Sequence, residues 1–256
     1  RKHYAPDLIV ESAKRFVDAA YRRPFFLVVA FPMALSGDGS EVPDFGPYAD
    51  RDWPTADKAR AALLTRVDEY VGQIVSKLEE RRLLSRTITI ITSDNGPPRA
   101  AEDRFLSTAG LRGSKGELYE GGIRVPLIVR WSSCFRMDCG ECDLPFGMWD
   151  ALPTLADLTG TWRRPKAIDG VSIVGRLRPA TNSDSPPPGS PLYWERHAGG
   201  FAQAARVDDW KGVRSGADGR WELYDLKTDP VESKDVAGAH PDVIERIDQT
   251  VKRLHP

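Results

Sequence analysis

The segment T-I-T-I-I-T-S-D-N-G, residues 87–96, constrains the fold more than any other part of the chain. Ile88, Ile90 and Ile91 make it a β-branched apolar run, the composition of a strand buried in a sheet. The run stops at Asp94-Asn95-Gly96, three residues that also form turns. Two explanations compete. One is a plain turn. The other is a pair of metal ligands at the C-terminal mouth of an α/β sheet, where such folds place their sites.

The flanking sequence supports an α/β chain. Ile9, Ala13, Phe16, Val17 and Ala20 fall at helical spacing. After Pro24, F-F-L-V-V-A-F (25–31) reads as a fully buried strand, and 32–54, rich in Gly, Pro and Asp, as a long loop, of a length usually either functional or disordered. A second helix is expected from about Ala56 to Arg82, with Leu63, Val67, Val71, Ile74 and Leu78 on one stripe. Beyond the 87–96 strand, a Gly-rich loop runs to about Gly122. The strand I-R-V-P-L-I-V-R-W follows, with Pro126 marking an edge or bulge. W-D-A-L-P-T-L-A-D-L-T-G reads as a short helix capped by Asp150, with Pro153 in its first turn and Gly160 at its end.

The period then changes. L-Y-W-E-R, F-A-Q-A-A-R-V, W-K-G-V-R-S and W-E-L-Y-D-L are short and punctuated by turns, which predicts a small antiparallel sheet. A terminal helix should pack on it through Val243, Ile247 and Val251. The expected fold class is therefore α/β: part of a mixed, mostly parallel sheet flanked by helices, plus the small C-terminal sheet and its helix. Expected domains are 1–180 and 191–256, joined by the Pro/Ser/Gly-rich linker 181–190.

Composition narrows the function classes. The net charge of −1 argues against a nucleic-acid or membrane-surface partner recruited by bulk charge. No apolar run approaches the ~20 residues that span a bilayer. The opening Arg1-Lys2-His3 carries neither an initiator Met nor a secretory leader, so a fragment or processed chain is expected. Cys134, Cys139 and Cys142 lie close together without a second Cys pair or a neighbouring His. That pattern fits one loop disulfide plus a thiol, or three thiols, better than zinc.

The most informative stretch is L-R-G-S-K-G-E-L-Y-E-G-G-I-R-V-P, residues 111–126. Its glycines free the backbone for close approach to a ligand. Lys115 stands among them, either as a solvated side chain or as a cation presented to an anion near Asp94-Asn95.

S-D-N-G, G-S-K-G-E-L-Y-E-G-G-I-R-V-P-L-I-V-R-W, W-D-A-L-P-T-L-A-D-L-T-G and W-E-L-Y-D-L-K-T-D-P-V-E, in this order, resemble the type I sulfatases of the alkaline-phosphatase-like superfamily. Arylsulfatases and N-acetylgalactosamine-6-sulfatase-like enzymes are the nearest type. The resemblance runs from about Tyr4 to Leu254. It implies hydrolysis of a sulfate ester of a glycan or other small molecule, in a periplasmic or secreted parent. It implies that Asp94 and Asn95 ligate an active-site Ca²⁺, which takes oxygen donors. Lys115 would contact the sulfate and offset charge in the transition state. Glu120, Arg124 and the glycines would hold the loop. His197 would lie near the substrate pocket, or else be a surface-loop His. The family nucleophile is a formylglycine made from Cys or Ser in a C/S-x-P-S-R motif.

The chain departs from that pattern. It has no C/S-x-P-S-R motif, no N-terminal Asp-Asp pair, and no Lys and His following a nucleophile. Phe31 leads into Pro32-Met33 where the family usually has Pro-His. Pro98 and Leu144 stand where it often has His. These features imply the C-terminal portion of a sulfatase, with an incomplete Ca²⁺ site and no turnover alone. A non-catalytic protein that binds sulfated glycans, or a phosphodiesterase or phosphonate hydrolase of the superfamily, is the alternative. Trp194 and Trp210 fit buried sheet positions better than a sugar pocket. Asp44 and Asp52 fit structural turns.

Overall fold

A computed structural model of the protein describes residues 4–32, 42–99, 104–131, 145–160, 168–174 and 191–254. The three cysteines, the 181–190 linker, Leu144, His3, His255 and the segment just after Pro32 lie outside the described residues. The chain forms two compact units, residues 1–89 with 129–133, and residues 90–128 with 134–256.

The first unit is helical. Helix α1 (Ala5–Ala20) buries Pro6, Val10, Ala13 and Val17, so its inner stripe is centred on Val10 rather than on Ile9. Phe16, expected inside, is exposed and meets Phe25 edge-to-face at 5.8 Å. Helix α2 (Thr55–Glu80) buries Leu63 and Leu78 as expected, together with Ala59, Ala62 and Tyr70. Val67, Val71 and Ile74 are only half-buried. Tyr70 donates to Asp7 at 2.5 Å and stacks on Phe31, which joins the two helices and the segment after α1. Asp44 accepts from Gly46 N at 2.9 Å and pairs with Arg66 at 2.7 Å, a structural turn; Asp52 is exposed.

Residues 25–31 correct one expectation. They are extended but form no strand, and they are not fully buried. Phe25 and Leu27 pack on Val17, Leu78 and Leu83, whereas Phe26 and Val28 are 75% and 71% exposed. An extended chain sends successive side chains to opposite sides, and the helices cover one side only. Strand β1 (Thr89–Thr92) pairs with β2 (Leu127–Arg130) in a two-stranded sheet. Ile90 is exposed and Ile88 and Ile91 are half-buried, so β1 is not the buried strand its composition suggested.

The second unit is centred on a four-stranded antiparallel sheet: β3 (Leu192–Arg196), β4 (Ala202–Val207), β5 (Trp210–Ser215) and β6 (Glu222–Asp225), in that order. Each strand coincides with one of the four segments read from the sequence. The β4–β5 hairpin pairs Val207 with Trp210 around Asp208-Asp209, and Asp208 takes φ +58°. The terminal helix α5 (Pro241–Leu254) lays Val243, Ile247 and Val251 on Ala205, Trp221 and Leu223. Gly212 is needed beneath it, since a Cβ there would lie 2.9 Å from Ile247. The opposite face, with Ala202, Ala204, Val213 and Tyr224, receives Leu118, Tyr119 and Ile123 from the Gly-rich segment.

Two details differ from expectation around the remaining helices. Glu120–Ile123 is a short helix, α3, and β2 begins only after Pro126. Helix α4 (Ala151–Thr159) ends at Gly160 with φ +70°, as read. Asp150 sits at its N-cap position but does not cap it. Its carboxylate accepts from Gly147 N at 2.9 Å and from Val171 N at 2.8 Å.

Candidate functional site

Lys115 follows Asp94 by 21 positions, and the second unit brings their backbones together. After β1 the chain turns through Asp94-Asn95, with Ser93 Oγ donating to Asn95 O at 3.0 Å. Gly96 N donates to Gly122 O at 2.8 Å, and Lys115 N donates to Pro97 O at 2.7 Å. Thr92 Oγ1 reaches Pro126 O at 2.9 Å. The turn carrying Asp94 and Asn95 is thus fastened to the loop carrying Lys115 by two backbone bonds that follow it, with the Thr92 hydroxyl bond to Pro126 O before it.

Glycine makes that approach possible. A Cβ on Gly96 would sit 2.0 Å from Gly121 O, and one on Gly122 would sit 2.1 Å from Glu117 O. Gly113 and Gly116 bracket Lys115 with φ of +90° and +88°, the left-handed region that costs glycine least.

The loop is further braced. Ser114 Oγ and Arg99 Nη2 both donate to Glu117, each at 2.9 Å. The Arg99 bond, aided by Ser114 against partial burial, holds the Glu117 carboxyl below its ordinary value. Arg112 lies over the Tyr119 ring at 3.8 Å and donates to the Tyr224 hydroxyl at 2.7 Å. Tyr119 donates to Glu222 at 2.8 Å; burial, then this bond, pushes its hydroxyl up to about 12.

Asp94 and Lys115 themselves are exposed, and Asn95 is half-buried. None of the three side chains forms a hydrogen bond or ion pair with the loops among the described residues. A carboxylate and an amide oxygen suit a hard cation such as Ca²⁺, which takes six to eight oxygens. No cluster of three or more His, Cys, Asp or Glu gathers among the described residues. Asp94 and Asn95 fit as part of such a site.

His197 lies beyond the end of β3, exposed, with Nε2 at 2.9 Å from Glu195 and its ring 5.3 Å from that of Phe201. Its neighbour Arg196 donates to Gly116 O at 2.7 Å, so the β3–β4 turn is tied to the Lys115 loop. Trp194 packs on the core face and meets Trp149 edge-on at 5.9 Å; Trp210 lies against His240. Arg196, Lys211 and Glu232 were not singled out in the sequence.

A family model described as Sulfatase matches residues 2–161, and a second, described as N-sulphoglucosamine sulphohydrolase, C-terminal, matches 114–255. An N-acetylgalactosamine-6-O-sulfatase of Bacteroides thetaiotaomicron is 24% identical over 97% of this chain and 50% of its own length. Human arylsulfatase A is 25% identical over 96% of this chain and 50% of its own. A putative sulfatase yidJ from Bacteroides fragilis superposes with a TM-score of 0.76 at 20% identity, covering 97% of this chain and 58% of that one. Ps i-CgsB in complex with k-i-k-neocarrahexaose gives 0.73 at 23% identity, covering 99% and 55%. The chain spans about half the length of the curated relatives it matches.

Proposed function

The chain belongs to the sulfatase family, and from that premise we propose that it carries the sulfate-facing part of a sulfuric ester hydrolase acting on a sulfated glycan or aryl sulfate. The observation that carries this reading is the pair of backbone bonds, Gly96 N to Gly122 O and Lys115 N to Pro97 O, which joins the Asp94-Asn95 turn to the Lys115 loop. An oxygen-donor pair and an exposed lysine, carried on two loops joined by these bonds, are the groups a sulfate ester needs. The ammonium faces ester oxygens, and the carboxylate and amide would hold a hard cation. That cation, when bound, supplies positive charge to the same oxygens. The glycan class is supported by the neocarrahexaose bound to Ps i-CgsB.

In this reading Lys115 binds and orients the sulfate group, and it stabilises negative charge that grows on the oxygens as the ester bond breaks. Asp94 and Asn95 would hold the cation through a carboxylate and an amide oxygen. The sequence contains no C/S-x-P-S-R motif, so this chain has no precursor for the formylglycine nucleophile. It binds sulfate esters weakly and turns none over, because parts of a catalytic unit do not act in proportion to their number.

The test is a nuclear magnetic resonance titration of the chain with 4-nitrophenyl sulfate in millimolar Ca²⁺, paired with a release assay for 4-nitrophenol. Expected are shifts at the Lys115, Asp94 and Asn95 amides that vanish in Lys115→Ala, and no release. Shifts elsewhere, or shifts that persist in Lys115→Ala, would overturn the assignment. Saturable release would require a nucleophile other than the family's.

A further inference from the structure

Three charged side chains are buried together beneath the Lys115 loop. Lys211 Nζ, on β5, lies 2.8 Å from Glu120 Oε1 and 2.9 Å from Glu232 Oε1. Side-chain exposure is 0% for Lys211, 5% for Glu120 and 0% for Glu232. The Glu120 contact is a formed hydrogen bond; Glu232 Oε1 faces the ammonium without hydrogen-bond alignment. Glu232 Oε2 instead accepts from Glu120 N at 2.6 Å.

Such a cluster is a poor way to stabilise a fold. Two carboxylates and one ammonium leave a net negative charge out of water. Apolar residues of similar volume commonly do as well or better. Glu232 adds backbone strain, with a left-handed φ of +56°. Its carbonyl accepts from Arg112 Nη1 at 3.1 Å.

The geometry shows what this arrangement holds. Arg112 and Glu120 are the two stems of the loop whose exposed apex is Lys115. Glu232 touches both stems, one through its carbonyl and the other through its carboxylate. Lys211 joins that carboxylate to Glu120. Beyond Glu120, Gly121 N donates to Arg112 O at 2.7 Å, and Gly122 O accepts Gly96 N. These bonds form one continuous route from the sheet to the Asp94-Asn95 turn, beside the bond from Arg196 to Gly116 O on the loop's other flank.

We infer that Lys211, Glu232 and Glu120 are positioning residues, a buried ionic clasp that sets the Lys115 loop against the Asp94-Asn95 turn. The inference deepens the proposed function, on which its catalytic meaning rests. The clasp touches no substrate and acts through the loop backbone. It ties the C-terminal sheet to the site, so that the sheet serves the chemistry without contributing a reacting group.

The experiment is amide hydrogen exchange on the full chain, comparing wild type with Lys211→Met. At pH 7 the variant removes the buried ammonium that stands between the two carboxylates. Protection at Gly96 and Lys115 is expected to fall at least tenfold. Protection at Ile247 and Thr250 in α5 is expected to change less than threefold. Lowering the pH toward 4.5 should restore much of the selective loss, as the Glu232 carboxyl, which burial raises, takes up a proton. Arg124, 3.8 Å from Glu120, and Arg112 are the other charges facing the clasp and stay cationic throughout. Glu120→Gln keeps the shape and removes one charge, so it serves if Lys211→Met does not fold. It should show the same selectivity with a smaller loss. Equal losses in the loop and α5, unchanged protection, or a selective loss that low pH does not reduce would each overturn the inference. Exchange reads the clasp without any sulfate present. A wild-type Lys115 amide unmoved by 4-nitrophenyl sulfate would count against the anion role alone and leave the exchange result to decide the clasp.

Discussion

Gly96→Ala tests the proposed site at its tightest point. The new Cβ would stand 2.0 Å from Gly121 O and 3.0 Å from Gly122 Cα. Non-bonded carbon contacts settle near 3.5 Å, and backbone atoms cannot swing aside as the end of a side chain can. Relief requires the 94–97 turn to move away from α3. That movement breaks the Gly96 N to Gly122 O bond and stretches Lys115 N to Pro97 O, now 2.8 and 2.7 Å. Overpacking costs about 1–3 kcal/mol, and each lost bond about 1 kcal/mol. Reduced freedom of the unfolded chain returns about 0.4–1 kcal/mol. The net expectation is a loss of about 2–4 kcal/mol. With a urea slope of about 1–3 kcal/mol per molar, the midpoint falls by about 1–2 M, followed through tryptophan fluorescence. Gly72→Ala is the control. It lies in α2 with nothing within 4 Å of its Cβ, and it should gain about 0.5–1 kcal/mol. A Gly96→Ala midpoint at or above the wild-type value would refute the close-packed junction.

Three further outcomes are expected. Ile247→Ala, at a fully buried position under the sheet, should cost about 2–5 kcal/mol by urea denaturation. Lys115→Ala should leave stability within about 0.5 kcal/mol of wild type, because that side chain is exposed. Burial, opposed chiefly by Lys211, raises the Glu232 carboxyl above its ordinary 4.5. A raised carboxyl contributes stability that is full below the unfolded value and lost as pH rises through the folded one. The stability of wild type relative to Glu232→Gln should therefore fall as pH is raised above about 4.5; a difference that grows with pH would contradict the raised value.

The antiparallel sheet was legible because its strands alternate and its turns are chemically marked. Ala204, Val213 and Tyr224 fall on one face and Ala205 and Leu223 on the other. The amphipathic stripe of α5 likewise needs no context beyond its own period. Residues 25–31, read as a buried strand, form none, and 89–92 form the expected strand but without the expected burial, for one shared reason. An unbroken apolar run fits a strand covered on both faces, but composition does not say whether the covering layers are present. Here one face of each remains open, as Phe26, Val28 and Ile90 record.

The site divides along a similar line. Asp94, Asn95 and Lys115 stood out because turn residues end an apolar run and glycines surround a lone cation. The clasp did not, because its members look ordinary where they occur. Lys211 sits in a short strand, where a lysine usually marks an exposed edge. Glu232 follows a polar turn, where a glutamate usually meets water. A signal was nevertheless present. Strand parity puts Lys211 on the same face as Val213, and Val213 is core. A charged residue at a core-facing position demands a buried counter-charge. The Gly-rich loop supplies Glu120, and the partners follow once the loop is known to pack on that face. Pairing across 91 positions is a property of topology, which local period cannot report. The charge of the residue at the wrong parity can, and it marks Lys211 as the place where the sheet reaches toward the site.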